Sequence, residues 1–226
     1  MRTRLYLAST SPARRALLAQ AGIDPVLVSP GVDEDAVAAE EEARLGRPLT
    51  GPELVALLAV AKARAVADGP VAGTRIDGVV FGGDSAFEVE GRLYGKPHDP
   101  HVARARWHEM LAAGGGTLWS GHCVVDRRAD RPTGDGDDTA VAVDSARLTF
   151  AADVTDAEID AYIATGEPLE VAGAFTIDGR AAAYITRIDG SPSAVVGLSL
   201  PTLRAMLLGR FGIAWHDLWA FRESSL

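Results

Sequence analysis

Short apolar runs and amphipathic stretches take turns along this chain, and the switches between them outline its elements. The run over residues 5–8 predicts a short buried strand. Ser11-Pro12 then opens a helix, because serine caps well and proline is tolerated at the first helical position. That helix is expected to reach residue 21 and to end at Gly22. A strand follows over 26–28, and then an acidic, loop-like stretch over 31–47 with a short helix through 40–44. Helical spacing is clear over 52–67. Residues 78–83 predict a strand, and 86–93 a hairpin turning at Glu90-Gly91. Asp99-Pro100 caps a helix reaching 113, which Gly114-Gly115-Gly116 breaks. Strands are expected over 118–125, 141–150 and 181–188, and helices over 155–165 and 201–208. Residues 127–138 read as a polar, mobile surface insert. The tail carries Trp215 and Trp219.

Interleaved strands and helices argue for an α/β architecture, a mixed sheet flanked by helices. No linker or internal repeat divides residues 1–226, so a single domain is expected. The composition, 47% apolar and 23% charged, is that of a soluble globular chain. A formal charge of −9 argues against a nucleic-acid polymer or an anionic membrane surface as partner, but not against a small anionic substrate. No run approaches a membrane span. Met1-Arg2-Thr3-Arg4 has the flavour of an export signal, but the apolar stretch behind it is too short. The one cysteine, Cys123, forms no internal disulfide and fits a cytoplasmic protein; it reads as a packed strand residue. Asp135, Asp137 and Asp138 lack the closing glutamate of a calcium loop.

Charge type is more informative than charge sum. Of the 22 basic residues only Lys62 and Lys96 are lysines. A compact ammonium is a three-donor point charge that an arginine fork does not reproduce at a phosphate. Lys62 falls in line with Leu58 and Val66 on an apolar helix face, so its ammonium must leave the core edge or meet a buried anion. Ser9, Thr10 and Ser11 join a strand to a helix N-terminus, where free N–H groups favour an anion. Arg14 lies on the inward face with Leu17, Leu18 and Ala21, as a phosphate clamp or as an arginine snorkelling off the core edge; Arg15 is rotated toward solvent. The segment lacks the glycines of a Walker A loop. Asp84 follows Gly82-Gly83 at the expected carboxyl end of a strand, where it can hold a divalent metal or take a proton from water. Glu34 is a second acidic ligand or simply part of a solvated loop. This inventory suits a metal-bound polyphosphate and stops at a phosphate-handling hydrolase or transferase.

Seven motifs in order, from about residue 5 to 213, resemble the Maf (septum formation) family of nucleoside triphosphate pyrophosphatases. They are Leu7-Ala8-Ser9-Thr10-Ser11-Pro12-Ala13-Arg14, Val32-Asp33-Glu34, Ala61-Lys62-Ala63-Arg64-Ala65, Gly82-Gly83-Asp84-Ser85, Gly95-Lys96-Pro97, Gly166-Glu167-Pro168 with Ala172-Gly173-Ala174-Phe175, and Val196-Gly197-Leu198-Ser199-Leu200-Pro201. The resemblance implies a two-lobed α/β fold with a central cleft, related to the inosine triphosphatase type and often dimeric. It implies hydrolysis of the α–β phosphoanhydride of standard or modified nucleoside triphosphates, with magnesium or manganese. By matching position it makes Asp84 the general base, Arg14, Lys62 and Lys96 the phosphate contacts with Ser9 and Ser11 beside them, and Glu34 a metal or water partner with Asp84. Family members are also tied to arrest of cell division, so a nucleotide-binding regulator with little turnover is the alternative. A phosphomonoesterase or phosphotransferase is a third reading. One branch, acting on dTTP and UTP, carries arginine, threonine and glutamine where Ala13, Ser85 and Asp178 stand; the resemblance links those positions to base choice, so a different and broader preference is expected here. The glycine run 114–116 and the 127–138 insert also depart from the family pattern.

Overall fold

In the computed structural model, residues 2–130 and 138–220 are described. The chain runs β1 (Leu5–Ala8), α1 (Pro12–Gln20), β2 (Val26–Val28), α2 (Glu34–Leu45), α3 (Gly51–Ala67), β3 (Val79–Val89), β4 (Arg92–Tyr94), α4 (Pro100–Ala112) and β5 (Gly115–Asp126). It continues through β6 (Thr139–Phe150), α5 (Asp156–Ala164), β7 (Ile185–Gly190), α6 (Pro192–Val196) and α7 (Leu200–Phe211). Short 3-10 turns occupy Glu167–Glu170, Ala172–Ala174, Arg180–Tyr184 and Trp215–Leu218. The seven strands form one mixed sheet in the order β2-β1-β3-β5-β6-β7, with β4 beside β3. Strands β2, β1 and β3 run parallel; the pairings of β3 with β4 and β5, and those of β6, are antiparallel. This is the mixed α/β sheet flanked by helices that the element pattern predicts.

Strand β3 organises the molecule. On one side β5 pairs with it along almost its whole length. On the other, β1 covers Val79 to Gly82 and β4 covers Phe87 to Val89. Residues 83–86 therefore form an open edge between the two partners. Apolar clusters lie on either side of this gap. One gathers Leu7, Leu18, Phe81, Leu203 and Leu207; the other gathers Phe87, Trp107, Leu118, Phe150 and Phe175. The expected strand end at Gly83 is thus a correction: β3 continues through Asp84 to Val89 because β5 supplies an unbroken ladder of partners. Asp84 stands in mid-strand, two residues beyond the point where β1 stops.

Helix α3 crosses the sheet at very short range. A Cβ on Gly82 would collide with the backbone of Ala59 and Ala63, and one on Gly121 with the carbonyl of Val55. Glycine is needed at both places so that helix backbone can rest on strand backbone. A side chain there must lift the helix. Gly121→Ala is expected to lower the unfolding free energy by roughly 1–3 kcal/mol. Gly209→Ala, in α7 with open space around it, should be neutral or stabilising. Urea titration of the two variants checks the contrast.

Two other expectations are corrected. The loop-like stretch 31–47 is largely helix α2. It is held by Asp33, which accepts from Ala36 N at 3.0 Å, by Glu34 and Asp35 in its first turn, and by Gly46 at φ 69°. None of its residues is buried, so no apolar stripe marks it. The strand expected over 181–188 begins only at Ile185; Arg180–Tyr184 coils as a 3-10 turn, its start fixed by the Arg180 N–H on Glu167 Oε1 at 2.9 Å. As for the 127–138 insert, Asp135 and Asp137 lie outside the described residues. Its ends are anchored: Asp138 pairs with Arg64 and Arg127, and its carbonyl accepts from Asp126 N at 2.8 Å.

Candidate active site

Four elements deliver charge to the open edge of β3. Beyond β1 the chain turns into α1 under the Ser11 cap, whose hydroxyl accepts from Arg14 N at 3.4 Å. Ser9 Oγ accepts from Ser11 N at 3.1 Å and from Arg14 Nη1 at 3.2 Å. Arg14 is buried rather than snorkelling. Its Nε donates to Gly197 O at 2.7 Å and its Nη2 to Ser85 Oγ at 3.0 Å. Every one of these acceptors is neutral, so the charge of Arg14 has no carboxylate in contact. Burial pulls the guanidinium below its ordinary value, while the fields of Asp84 and Glu34 push it back. A buried cation held this way is prepared for an anion.

Across the strand, alternation places Asp84 on the face toward α3, with Gly82, and Ser85 on the opposite face. Lys62 extends from α3 and meets Asp84 Oδ1 at 2.7 Å and Glu34 Oε1 at 2.8 Å. Its ammonium meets a buried anion, the second of the two outcomes its helix position allows. Lys62 and Asp84 are both buried; Glu34 is half exposed on the first turn of α2. Burial pushes the Asp84 carboxyl above its ordinary value, against the pull of Lys62 and Arg14, and Glu34 adds to the rise. The result is a carboxylate held in place yet more basic than one in water, as proton abstraction requires.

The other expected residues make none of these contacts. Lys96, on the connection between β4 and α4, is exposed, with Glu170 at 4.0 Å. Asp178 is exposed on a loop that Glu167 organises by accepting from Thr176 Oγ1 at 2.6 Å and Tyr162 OH at 3.1 Å. Ala13 is half-buried on α1. Beside the α1 N-terminus a cleft of about 490 Å³ is lined by Ser9, Ser11, Arg15, Leu27 and Ser29.

Two contributors escape sequence reasoning. Ser120 and His122 are fully buried on β5, behind Ser85. The only signal was a polar residue inside an apolar run. His122 Nδ1 lies 3.0 Å from Ser120 O, and its Nε2 accepts from Ser199 N at 2.8 Å, which fixes the neutral tautomer. Burial, with Arg14 nearby, lowers its pKa to about 4. An unfolded histidine titrates near 6.5, so the unfolded chain binds the extra proton first as pH falls. The stability His122 supplies is complete above about pH 6.5 and is lost between about 6.5 and 4, on the order of 3 kcal/mol. Unfolding free energies across that window should lose this slope in His122→Gln.

Fold and charge together define a mixed α/β protein with a buried carboxylate among its cations. The family model described as "Maf-like protein" matches residues 4–210, and the chain belongs to the Maf family. It is 54% identical to a "Nucleoside triphosphate pyrophosphatase" of Leifsonia xyli, over 96% of either chain. It is 46% identical to proteins of the same description from Nocardia farcinica, over 97% of this chain and 98% of that one, and Streptomyces avermitilis, over 98% and 97%.

Proposed function

We propose that this protein hydrolyses the α–β phosphoanhydride of nucleoside triphosphates, releasing the monophosphate and pyrophosphate. The observation that carries the reading is the Lys62 ammonium held between Asp84 and Glu34, next to a buried Arg14 with only neutral partners. Asp84 Oδ1 is engaged by Lys62, which leaves Oδ2 to accept the proton of an attacking water. A bond forms from that water to the α-phosphorus, the bridging α–β bond breaks, and pyrophosphate leaves with the electron pair. Arg14 and Lys62 neutralise charge building on the phosphoryl oxygens, with Ser9 and Ser11 at the N-terminus of α1 beside them. Lys96 would join from its exposed loop.

Among the described residues no three histidine, cysteine or acidic side chains group closely enough to hold a metal by themselves. Two carboxylates that share one ammonium do fit magnesium or manganese, which take one or two carboxylates and fill the rest of their shell with phosphate oxygens and water. Glu34 and Asp84 would hold such an ion, and when bound it supplies charge neutralisation at the phosphates. The same reading includes one domain, a homodimer and a cytoplasmic setting; among the described residues no helix is long and apolar enough to cross a membrane.

Full-length likeness to relatives named for the pyrophosphatase activity favours turnover over a purely regulatory role in division. Assay of purified protein against a panel of triphosphates, with magnesium or manganese and with chelator, tests the reading. Metal-dependent pyrophosphate release is expected, without the dTTP and UTP preference of the branch whose three base-linked residues this chain lacks. Orthophosphate as first product, or full activity in chelator, would overturn the reading.

A further inference from the structure

We propose that Ser120 and His122 are positioning residues for Arg14, acting through the segment 193–199, which comprises most of α6 and the turn after it. The inference rests on the reading that Arg14 binds phosphate. Strand β5 is paired on both sides, by β3 and β6. From its face away from α3 it grips this segment at two points. Ser120 Oγ donates to Ala194 O at 2.7 Å, and His122 Nε2 accepts from Ser199 N at 2.8 Å. Between these points lies Gly197, at φ 108°, and its carbonyl is the acceptor for Arg14 Nε at 2.7 Å. Gly197 also closes α6, with Gly197 N on Ala194 O at 2.9 Å and Leu198 N on Ser193 O at 3.2 Å, so displacement of either anchor moves the carbonyl. A side chain at Gly197 would be strained in this conformation and would crowd Ser85 Oγ at 3.0 Å.

The far side of the segment is tied as well. Ser199 caps α7, and Thr202 carries its hydroxyl contact on to Asp144 Oδ2 at 3.0 Å. The guanidinium is therefore aimed from three directions: Ser9 just beyond β1, Ser85 from β3, and Gly197 from the turn after α6 that β5 fixes. A buried polar network that served stability alone would not need to converge on one functional side chain.

A double-mutant cycle separates the two roles. His122→Leu and Ser120→Ala are each made in the wild-type and in the Arg14→Ala background. They are measured by kcat/KM for pyrophosphate release and by affinity for a non-hydrolysable triphosphate analogue. In the wild-type background each is expected to lower both quantities by about 5-fold or more, and in Arg14→Ala by less than about 2-fold. His122→Gln, which keeps an acceptor for Ser199 N, should recover most of the loss. Ser120→Ala leaves Ala194 O its bond from Gly197 N and gives up only the grip on Ala194 and a 3.5 Å contact with Ser85 Oγ, so it decides the matter if His122→Leu does not fold. Equal losses in both backgrounds would overturn the positioning role and leave Ser120 and His122 as structural groups. A wild-type protein that binds the analogue without turnover would overturn the pyrophosphatase reading instead, and the affinity cycle would still decide this one.

Discussion

Asp84→Asn is expected to lower kcat for pyrophosphate release by about 100- to 10,000-fold, the range for loss of a positioned general base. The amide keeps the shape of the carboxylate and can still accept from Lys62, so the fold should survive; a thermal melt checks that. What it lacks is basicity. Burial raises the wild-type carboxyl above its ordinary value while Lys62 and Arg14 keep it from rising further. The acid limb of the wild-type pH–rate profile should accordingly lie above the usual aspartate range, since the base must be deprotonated to act. In Asp84→Asn the residual rate should no longer follow that limb. Near-normal turnover in this variant would show that another group takes the proton.

Lys62→Ala should cost about 100-fold or more in kcat/KM if the ammonium stabilises charge on the phosphates. A second consequence follows from its contacts. Without Lys62, Asp84 and Glu34 lose the cation they share at 2.7 and 2.8 Å. The Asp84 carboxyl, already raised by burial, then rises further, because Lys62 is the largest influence lowering it. The acid limb should move to higher pH, and part of the lost rate should return as pH is increased. Lys62→Arg keeps the charge but brings a planar fork to a gap fitted to a compact ammonium, so it should also fail substantially. A loss that is the same at every pH would contradict the coupling between Lys62 and Asp84.

The buried charged cluster was legible because each member broke the pattern of its own element. Lys62 interrupted an apolar helix face, Arg14 pointed inward, and Asp84 ended an apolar run; all three prove buried. What stayed hidden has specific causes. Helix α2 buries nothing, so periodicity could not find it, and only its caps announced it. The continuation of β3 past Gly82-Gly83 depends on β5, forty residues away in sequence, so two glycines looked like an end. Neither could the sequence show that those glycines bring α3 onto the sheet, which is what allows Lys62 to reach Asp84. Ser120 and His122 were hidden for the same reason, since their partners Ala194 and Ser199 lie more than seventy residues further along. Lys96 stood out as one of only two lysines and Asp178 only through the family resemblance, and the structure leaves both exposed.

A water activated at Asp84 is proposed to split the α–β bond. Phosphorus-31 NMR of a single triphosphate turned over by the wild-type protein with magnesium tests it most directly. Equal amounts of monophosphate and pyrophosphate, formed together from the first time point and absent with Asp84→Asn, are the predicted result. Nucleoside diphosphate with orthophosphate, or pyrophosphate that persists undiminished in Asp84→Asn, would contradict it.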